Sequence, residues 1–567
     1  MAAAAGFELP AAYVINGMKP SVQPGDDFNA YVNGGWIDAT EIPADKDHWG
    51  IDGEIAEATD KRVAQLIEDA AKGGANTSAD ARRVGTYYAA FMDEAGIEAK
   101  GLTSLQPLLQ QIGALSNKTE LSHLLGSTLR ADVDPLNMTN FYTENLFGLW
   151  VAQGLHDPQN YQAYLLQGGL GLPDREYYLA KDAKMADIRG RYLKHITTVF
   201  TLAGYKDASK RAAKVFELEH KIALSHASRE DSEDIVKADN TWTSRDFASK
   251  AHGMDWVAFF DGAGLSGRPS FGVWHPGALK GEAALVGSMP LAVWKDYLSF
   301  HAINHFSTTL PKAYSDAHFA FYDTVLSGTP EQSARWKRAV AETNDAVGDS
   351  VGHLYVDRYF PPEAKAKVQA LVANIVNAFA QRIDHLEWMA PATKIEAKEK
   401  LKTLYVGVGY PEHWHDYTGL EIVAGDALGN RLRAEEFAYR REIAKFGKPV
   451  ERSEWAMLPQ VVNAVNLPLQ NALNFPAGIL QPPSFDPAVA DAINYGAIGA
   501  VIGHEISHSF DDQGSQFDSQ GRLRNWWTPE DLAHFKKSSA ALAAQFSTYR
   551  PFPDLAVHGQ QTLSENI

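Results

Sequence analysis

Residues 494–512 read NYGAIGAVIGHEISHSFDD, and the fold and chemistry of the chain turn on this stretch. His504 and His508 lie four residues apart, one helical turn, so their imidazoles point to the same side and can meet one metal ion. Glu505 sits near the edge of that face, where a carboxylate reaches a metal-activated water without taking a coordination position. Upstream, Asp486-Pro487 offers an N-cap followed by proline at the first helical position, and Gly514 offers a stop. One long helix, or two in series, is expected between them. Gly496, Gly499 and Gly503 each weaken such a helix by about 1 kcal/mol but admit a neighbouring backbone, so the helix is expected to be buried. Two histidines and a glutamate late in an apolar helix need a partner for their polar groups, and a metal supplies one.

Composition agrees with this. The chain has 567 residues, 45% hydrophobic and 22% charged, the composition of a folded globular protein. Its net charge of −18 repels phosphate backbones and anionic lipid, which argues against nucleic acid as a partner. With no cysteine, only His, Asp and Glu remain as metal ligands. No apolar stretch is long enough to span a membrane, and the opening MAAAAGFELP lacks the basic start and apolar core of a signal peptide. The expectation is a periplasmic or secreted protein whose leader has been removed, with a cytoplasmic one as the alternative.

Most of the first 400 residues read as helices joined by Gly- and Pro-containing loops. The clearest apolar stripe runs Val368, Leu371, Val372, Ile375, Val376, Phe379, Ile383 and Leu386, bracketed by Pro361-Pro362 and Pro391, with weaker ones at 55–71 and 210–224. Near Leu458 the pattern changes, and 460–466 and 474–480 read as extended segments.

A catalytic zinc takes three protein ligands and keeps one open position. After His508 neither the glycine nor the histidine of H-x-x-G-x-x-H follows, which excludes the metzincin pattern. Thr562-Leu563-Ser564-Glu565-Asn566 offers a glutamate from a separate helix, although Thr562-x-x-Glu565 is also a capping box. His558 competes for the third position but reads as a surface loop, as do His413 and His415 around Trp414.

The chain resembles the neprilysin and endothelin-converting-enzyme family of zinc metallopeptidases. The likeness begins at Pro24-Gly25-Asp26-Asp27-Phe28 and Asn33-Gly34-Gly35-Trp36. It continues through Ala346-Val347-Gly348, Leu354-Tyr355-Val356, Trp388-Met389 and Thr393-Lys394. It becomes dense at VVNA (461–464), FPAGILQPPSF (475–485), residues 494–512, NWWT (525–528) and TLSEN (562–566). The resemblance implies a mainly helical, two-lobed fold with small β elements, a thermolysin-like zinc lobe facing a helical lobe across an internal chamber. The expected division is an N-terminal segment over 1–55, a helical cap over 56–400 and a catalytic lobe over 401–567.

It further implies one Zn2+ held by His504, His508 and Glu565, with Glu505 as general base in peptide hydrolysis. Asn463 and Ala464 would bind the substrate backbone from an extended strand, and Ile479 and Val501 would line the pocket for the residue after the cut. Peptides cleaved on the amino side of apolar residues are the expected substrates. Val465 and Asn466 replace aromatic residues of the family, Ser484 and Ala500 replace larger apolar ones, and no arginine stands near Trp49-Gly50 to hold a substrate carboxylate. The absence of the mammalian disulfides looks bacterial. The family's E-N-x-x-D motif is cut at Ile567, so a complementary C-terminal fragment is expected, with weak activity from this chain alone and a peptide-binding zinc protein as the alternative.

Overall fold

The computed structural model describes residues 17–73, 77–137 and 140–566; the opening MAAAAGFELP and Ile567 lie outside them. The chain is mainly helical with two small sheets. In the first half, β1 (Phe147–Gln153), β2 (Tyr161–Gln167), β3 (Thr241–Thr243) and β4 (Ser270–Val273) form a sheet ordered β1-β2-β4-β3. β1 and β2 are antiparallel, with Trp150 opposite Tyr164, and β2 runs parallel to β4. In the second half, β5 (Tyr405–Gly409), β6 (Val465–Leu467) and β7 (Ala472–Pro476) form a sheet ordered β5-β7-β6. β7 is central, parallel to β5 and antiparallel to β6, which leaves β6 at an edge.

Two large apolar cores organise these elements. One draws on residues 105–321 together with Leu428, Tyr439 and Phe446, and is filled by aromatics such as Phe247, Phe259, Phe271 and Trp294. The other takes Val63, Leu66 and Ile67 from the helix Ile51–Lys72 and Val84 and Phe91 from Ala79–Met92. Helices Arg335–Tyr359 and Pro362–Asp384 contribute Val351, Tyr355, Val368 and Leu371 to it, and the site helix contributes Ile498, Ile502 and Ile506. The chain therefore enters the second core, leaves it to build the first, and returns. A third, smaller cluster joins the halves: Trp150, Tyr164 and Trp274 of the first half pack with Leu469 and Phe517 of the second.

The helix expected around Val368–Leu386 spans Pro362–Asp384, with proline at its start and Val368, Leu371, Val372 and Ile383 buried. Those expected at 55–71 and 210–224 fall within Ile51–Lys72 and Ala208–Ser225. The segment expected as one helix, or two, is two: Asp491–Gly496 and Ile498–His508, broken at Ala497, where φ is −99° and ψ −96°. Asp486 closes a turn through Ala488 N (2.8 Å) rather than capping either, and helix geometry ends at His508, before Gly514. The close approach inferred from the glycines is absent. A methyl at Gly496 or Gly503 would meet open space, and at Gly499 it would make ordinary contact with Ile375. Of these two helices, the first is largely exposed and the second buries one face. Residues 460–464 also stay outside the strands, since β6 starts at Val465.

The chain approaching β6 is clamped to Arg335–Tyr359. Gln460 donates to Asn344 (2.8 Å) and to the Gly348 carbonyl (3.1 Å). Upstream, His415 is bound rather than solvated: Nδ1 lies 2.9 Å from Asp349 and Nε2 3.4 Å from Glu454. Its hydrogen bonds to Asp349 and Glu454 outweigh burial and raise its pKa from 6.5 to about 9. Because the folded pKa is the higher one, this stabilisation is full below about pH 6.5 and is lost as pH rises through about 9. Replacing His415 by Gln is expected to lower unfolding free energy by about 1–3 kcal/mol at pH 6, and the gap from the unmodified protein should close by pH 10 in denaturant titrations.

Candidate metal centre and catalytic cleft

On the helix Ile498–His508, Ile498, Ile502 and Ile506 take the buried face, and the same winding turns His504 and His508 toward a cleft. Their Nε2 atoms lie 3.0 Å apart. Glu565, on the short helix Leu563–Asn566, completes the group: its carboxylate oxygens stand 3.4 Å from His504 Nε2 and 3.8 Å from His508 Nε2. One ligand atom from each residue falls within a 4.8 Å span. The alternative role of Glu565 in a capping box is not taken up. Thr562 Oγ1 donates to the His558 carbonyl (3.3 Å) and accepts from Asn566 Nδ2 (2.8 Å), while the Glu565 carboxylate turns to the histidines. His558 pairs with Glu230 at 3.2 Å instead.

His508 and the helix carrying Glu565 are held from behind. His508 Nδ1 bonds Asp511 Oδ2 at 2.7 Å, which makes Nδ1 the donor and leaves the Nε2 lone pair facing the cleft. Asp511 is fixed in turn by the N–H groups of Gln513 (2.8 Å) and Gly514 (2.6 Å). Its neighbour Asp512 accepts from Ser564 Oγ at 2.8 Å, which ties the helix carrying Glu565 to the loop that follows the histidines. Asn466, on β6, donates to the Glu505 carbonyl (2.7 Å) and to Ser509 Oγ (2.8 Å), docking the edge strand onto the site helix.

Burial sets the electrostatics. Glu505 is 6% exposed, and desolvation pushes its carboxyl up to about 7. Desolvation and the adjacent His508 lower His504. For His508, burial disfavours the charged form, but the Asp511 hydrogen bond and charge prevail and raise it.

The cleft encloses about 300 Å³. Its walls include Asn463, Ala464, Val465 and Asn466 on one side, His504, Glu505, His508 and Glu565 at the floor, and Leu136 and Asn137 from the first half of the chain. Gln513 Nε2 donates to the Glu233 carbonyl at 3.2 Å across the same boundary. Asn463 is exposed at the rim and accepts from Ala464 N at 2.9 Å. Ile479 and Val501 do not line this cleft; both are half-buried against the second core. Asp511, Asp512, Ser564, Leu136 and Asn137 were not singled out from sequence. Only Asp511, three residues after His508, left a signal, since a carboxylate one turn on can reach the second nitrogen of a histidine.

The donor set suits a tetrahedral zinc ion. Bonds of about 2.0–2.1 Å place tetrahedral ligands about 3.3–3.4 Å apart; here the two imidazole nitrogens are 3.0 Å apart, and each is approached by a different oxygen of Glu565, at 3.4 and 3.8 Å. Two neutral imidazoles and a carboxylate, with side-chain exposures of 39%, 16% and 69%, leave a side open to solvent.

This fold and site define a metallopeptidase of the zinc-dependent type. Models of peptidase family M13 match residues 24–411 and 463–567, and the chain belongs to that family. It is a zinc metalloendopeptidase of the neprilysin and endothelin-converting-enzyme group. Endothelin-converting enzyme 1 of Mus musculus is 28% identical over 568 residues, covering 98% of this chain and 73% of the relative. The zinc metalloprotease ZMP1 of Mycobacterium tuberculosis, in complex with an inhibitor, is 36% identical and superimposes with a TM-score of 0.90 over 97% of this chain and 83% of that one. PepO from Lactobacillus rhamnosis is 25% identical, with a TM-score of 0.84 over 96% and 85%. No helix among the described residues is long and apolar enough to cross a membrane. The comparisons lend no support to a complementary fragment.

Replacing Ser564 by Ala removes the hydroxyl that ties the Glu565 helix to Asp512 and should weaken zinc binding about 3- to 30-fold in a chelator competition, with the melting temperature of the zinc-free protein changing by less than about 2 °C.

Proposed function

We propose that this chain hydrolyses peptides at the cleft, with His504, His508 and Glu565 as the residues that hold one zinc ion and Glu505 as the general base. The observation that carries this reading is the convergence of three ligand atoms within 4.8 Å, beside a carboxylate whose burial raises its pKa. Zinc bound there supplies polarisation of the scissile carbonyl and acidification of water. Glu505 takes the proton of the attacking water and delivers it to the leaving nitrogen. Asp511 keeps the tautomer of His508 fixed, so that ring offers the same lone pair throughout.

The edge position of β6 supports a substrate bound as an added strand, with Asn463 and Ala464 at its entry. An extended backbone is then the common feature of the substrates. Val501 lies one turn before Glu505 on the same helix, and Ile479 packs on the same core, so a pocket reaching past the cleft wall to these two aliphatic side chains would favour cleavage before apolar residues. We assign the lobes by the two cores rather than by a cut at residue 401. The helical lobe is built on the core of residues 105–321. The catalytic lobe is built on the core that joins 63–91 and 339–401 to 464–527.

Glu505→Gln tests the base. Peptide turnover should fall by at least about 1,000-fold, with zinc content unchanged and a labelled peptide still bound. Turnover retained in this variant removes Glu505 from the role, and peptide binding without turnover in the unmodified chain replaces the enzyme reading with a binding one. A peptide library should show cuts concentrated before Leu, Ile, Val and Phe, and Val501→Lys should shift them away from these residues; cuts mainly after basic residues sink the pocket assignment.

A further inference from the structure

Lys400 is 2% exposed, in the catalytic half, at the end of the helix Pro391–Lys402. A lysine so deeply buried is uncommon unless its nitrogen has dedicated acceptors. Here it has two backbone carbonyls from the loop that follows the site helix: Gly514 O at 2.6 Å and Phe517 O at 2.8 Å. Either protonation state of the amine offers the two N–H groups these carbonyls need, so the contact does not depend on titration.

The loop is the one that fixes Asp511. The Gly514 residue whose carbonyl Lys400 holds also donates its own N–H to Asp511 Oδ1 (2.6 Å), and Asp511 Oδ2 holds His508 Nδ1 (2.7 Å). Position 514 also admits no side chain, because a Cβ there would collide with the His508 carbonyl oxygen. Around Lys400, Asn471 donates to the Lys400 carbonyl (2.9 Å) and to Thr403 Oγ1 (3.1 Å), which fixes the end of the lysine's own helix against the turn before β7. Two tryptophans bond other carbonyls of the loop: Trp526 Nε1 donates to Phe517 O and Trp527 Nε1 to Ser515 O, each at 3.1 Å.

We propose that Lys400 is a positioning residue for the zinc ligand His508, acting through Gly514 and Asp511. The proposal rests on the reading of His508 as a ligand. The lysine anchors the carbonyl of Gly514 from outside, which fixes the residue whose own N–H is aimed at Asp511, and Asp511 sets the ring orientation of His508. The metal-binding geometry is thereby tied to the helix Pro391–Lys402, which contributes no residue to the cleft wall.

The test is zinc affinity by competition with a chromophoric chelator, read beside thermal melting of the zinc-free full chain. Lys400→Met keeps the apolar stem and removes both N–H groups. It is expected to weaken zinc binding about 10- to 100-fold, the range typical of lost support behind a metal ligand. Trp526→Phe removes a hydrogen bond to the same loop and should lower the melting temperature while leaving zinc affinity within about twofold. If Lys400→Met does not fold, Lys400→Gln, which keeps an amide donor on a shorter stem, carries the comparison and should also bind zinc more weakly. Unchanged affinity in the folded Lys400 variant overturns the proposal, and so does an equal loss in Trp526→Phe, which would make loop rigidity alone responsible. Failure of the unmodified chain to bind one zinc ion, or binding unaffected by His508→Ala, overturns the site reading itself and this inference with it.

Discussion

Two imidazole nitrogens held 3.0 Å apart with their lone pairs converging are an unfavourable arrangement unless a proton or a cation lies between them. The rest of the catalytic half can be understood as the apparatus that maintains this arrangement. The helix supplies the one-turn spacing, and its isoleucine face is locked into the second core. Asp511 turns the ring of His508, and Asp512 brings in Glu565 through Ser564. The Glu565 carboxylate facing the two lone pairs adds to that cost, and a cation held by all three groups removes it.

The two cores are connected in a way that bears on this arrangement. Residues 63–91 belong with 339–401 and 464–527, and the long insertion between them builds the helical half with its own sheet. The aromatic seam of Trp150, Tyr164 and Trp274 against Leu469 and Phe517 joins the halves close to the loop that supports Asp511. Phe517 belongs to both systems: its ring is part of the seam and its carbonyl is bonded by Lys400 and Trp526. The support of the metal site and the joint between the halves are thus one piece of chain.

Local patterns in the sequence carried the parts that depend on local physics. The stripe from Val368 onward, the prolines around it and the one-turn spacing of His504 and His508 are properties of a single helix, and the structure shows each of them. Glu565 was identifiable because its short motif matched a family order, whereas geometry alone left it between a cap and a ligand. What the sequence did not disclose is long-range. Nothing local shows that Leu136 and Asn137 would wall a cleft more than 300 residues further along, or that Ser564 would find Asp512. The glycines misled for a related reason: a missing side chain permits close packing but does not supply the neighbour, and Gly503 faces open space. His415 was assigned to solvent because its partners, Asp349 and Glu454, are 66 and 39 residues away.

The cleft wall formed by Leu136 and Asn137, with the bond from Gln513 to the Glu233 carbonyl, has a kinetic meaning. A groove closed by a piece of the opposite half cannot be loaded or emptied along its whole length while that piece stays in place. A substrate too long for the open side would add a mechanical step, the parting and resealing of that boundary, to the bond-breaking one. Where that step is the slower, the ceiling on kcat is set by residues that never touch the reacting atoms.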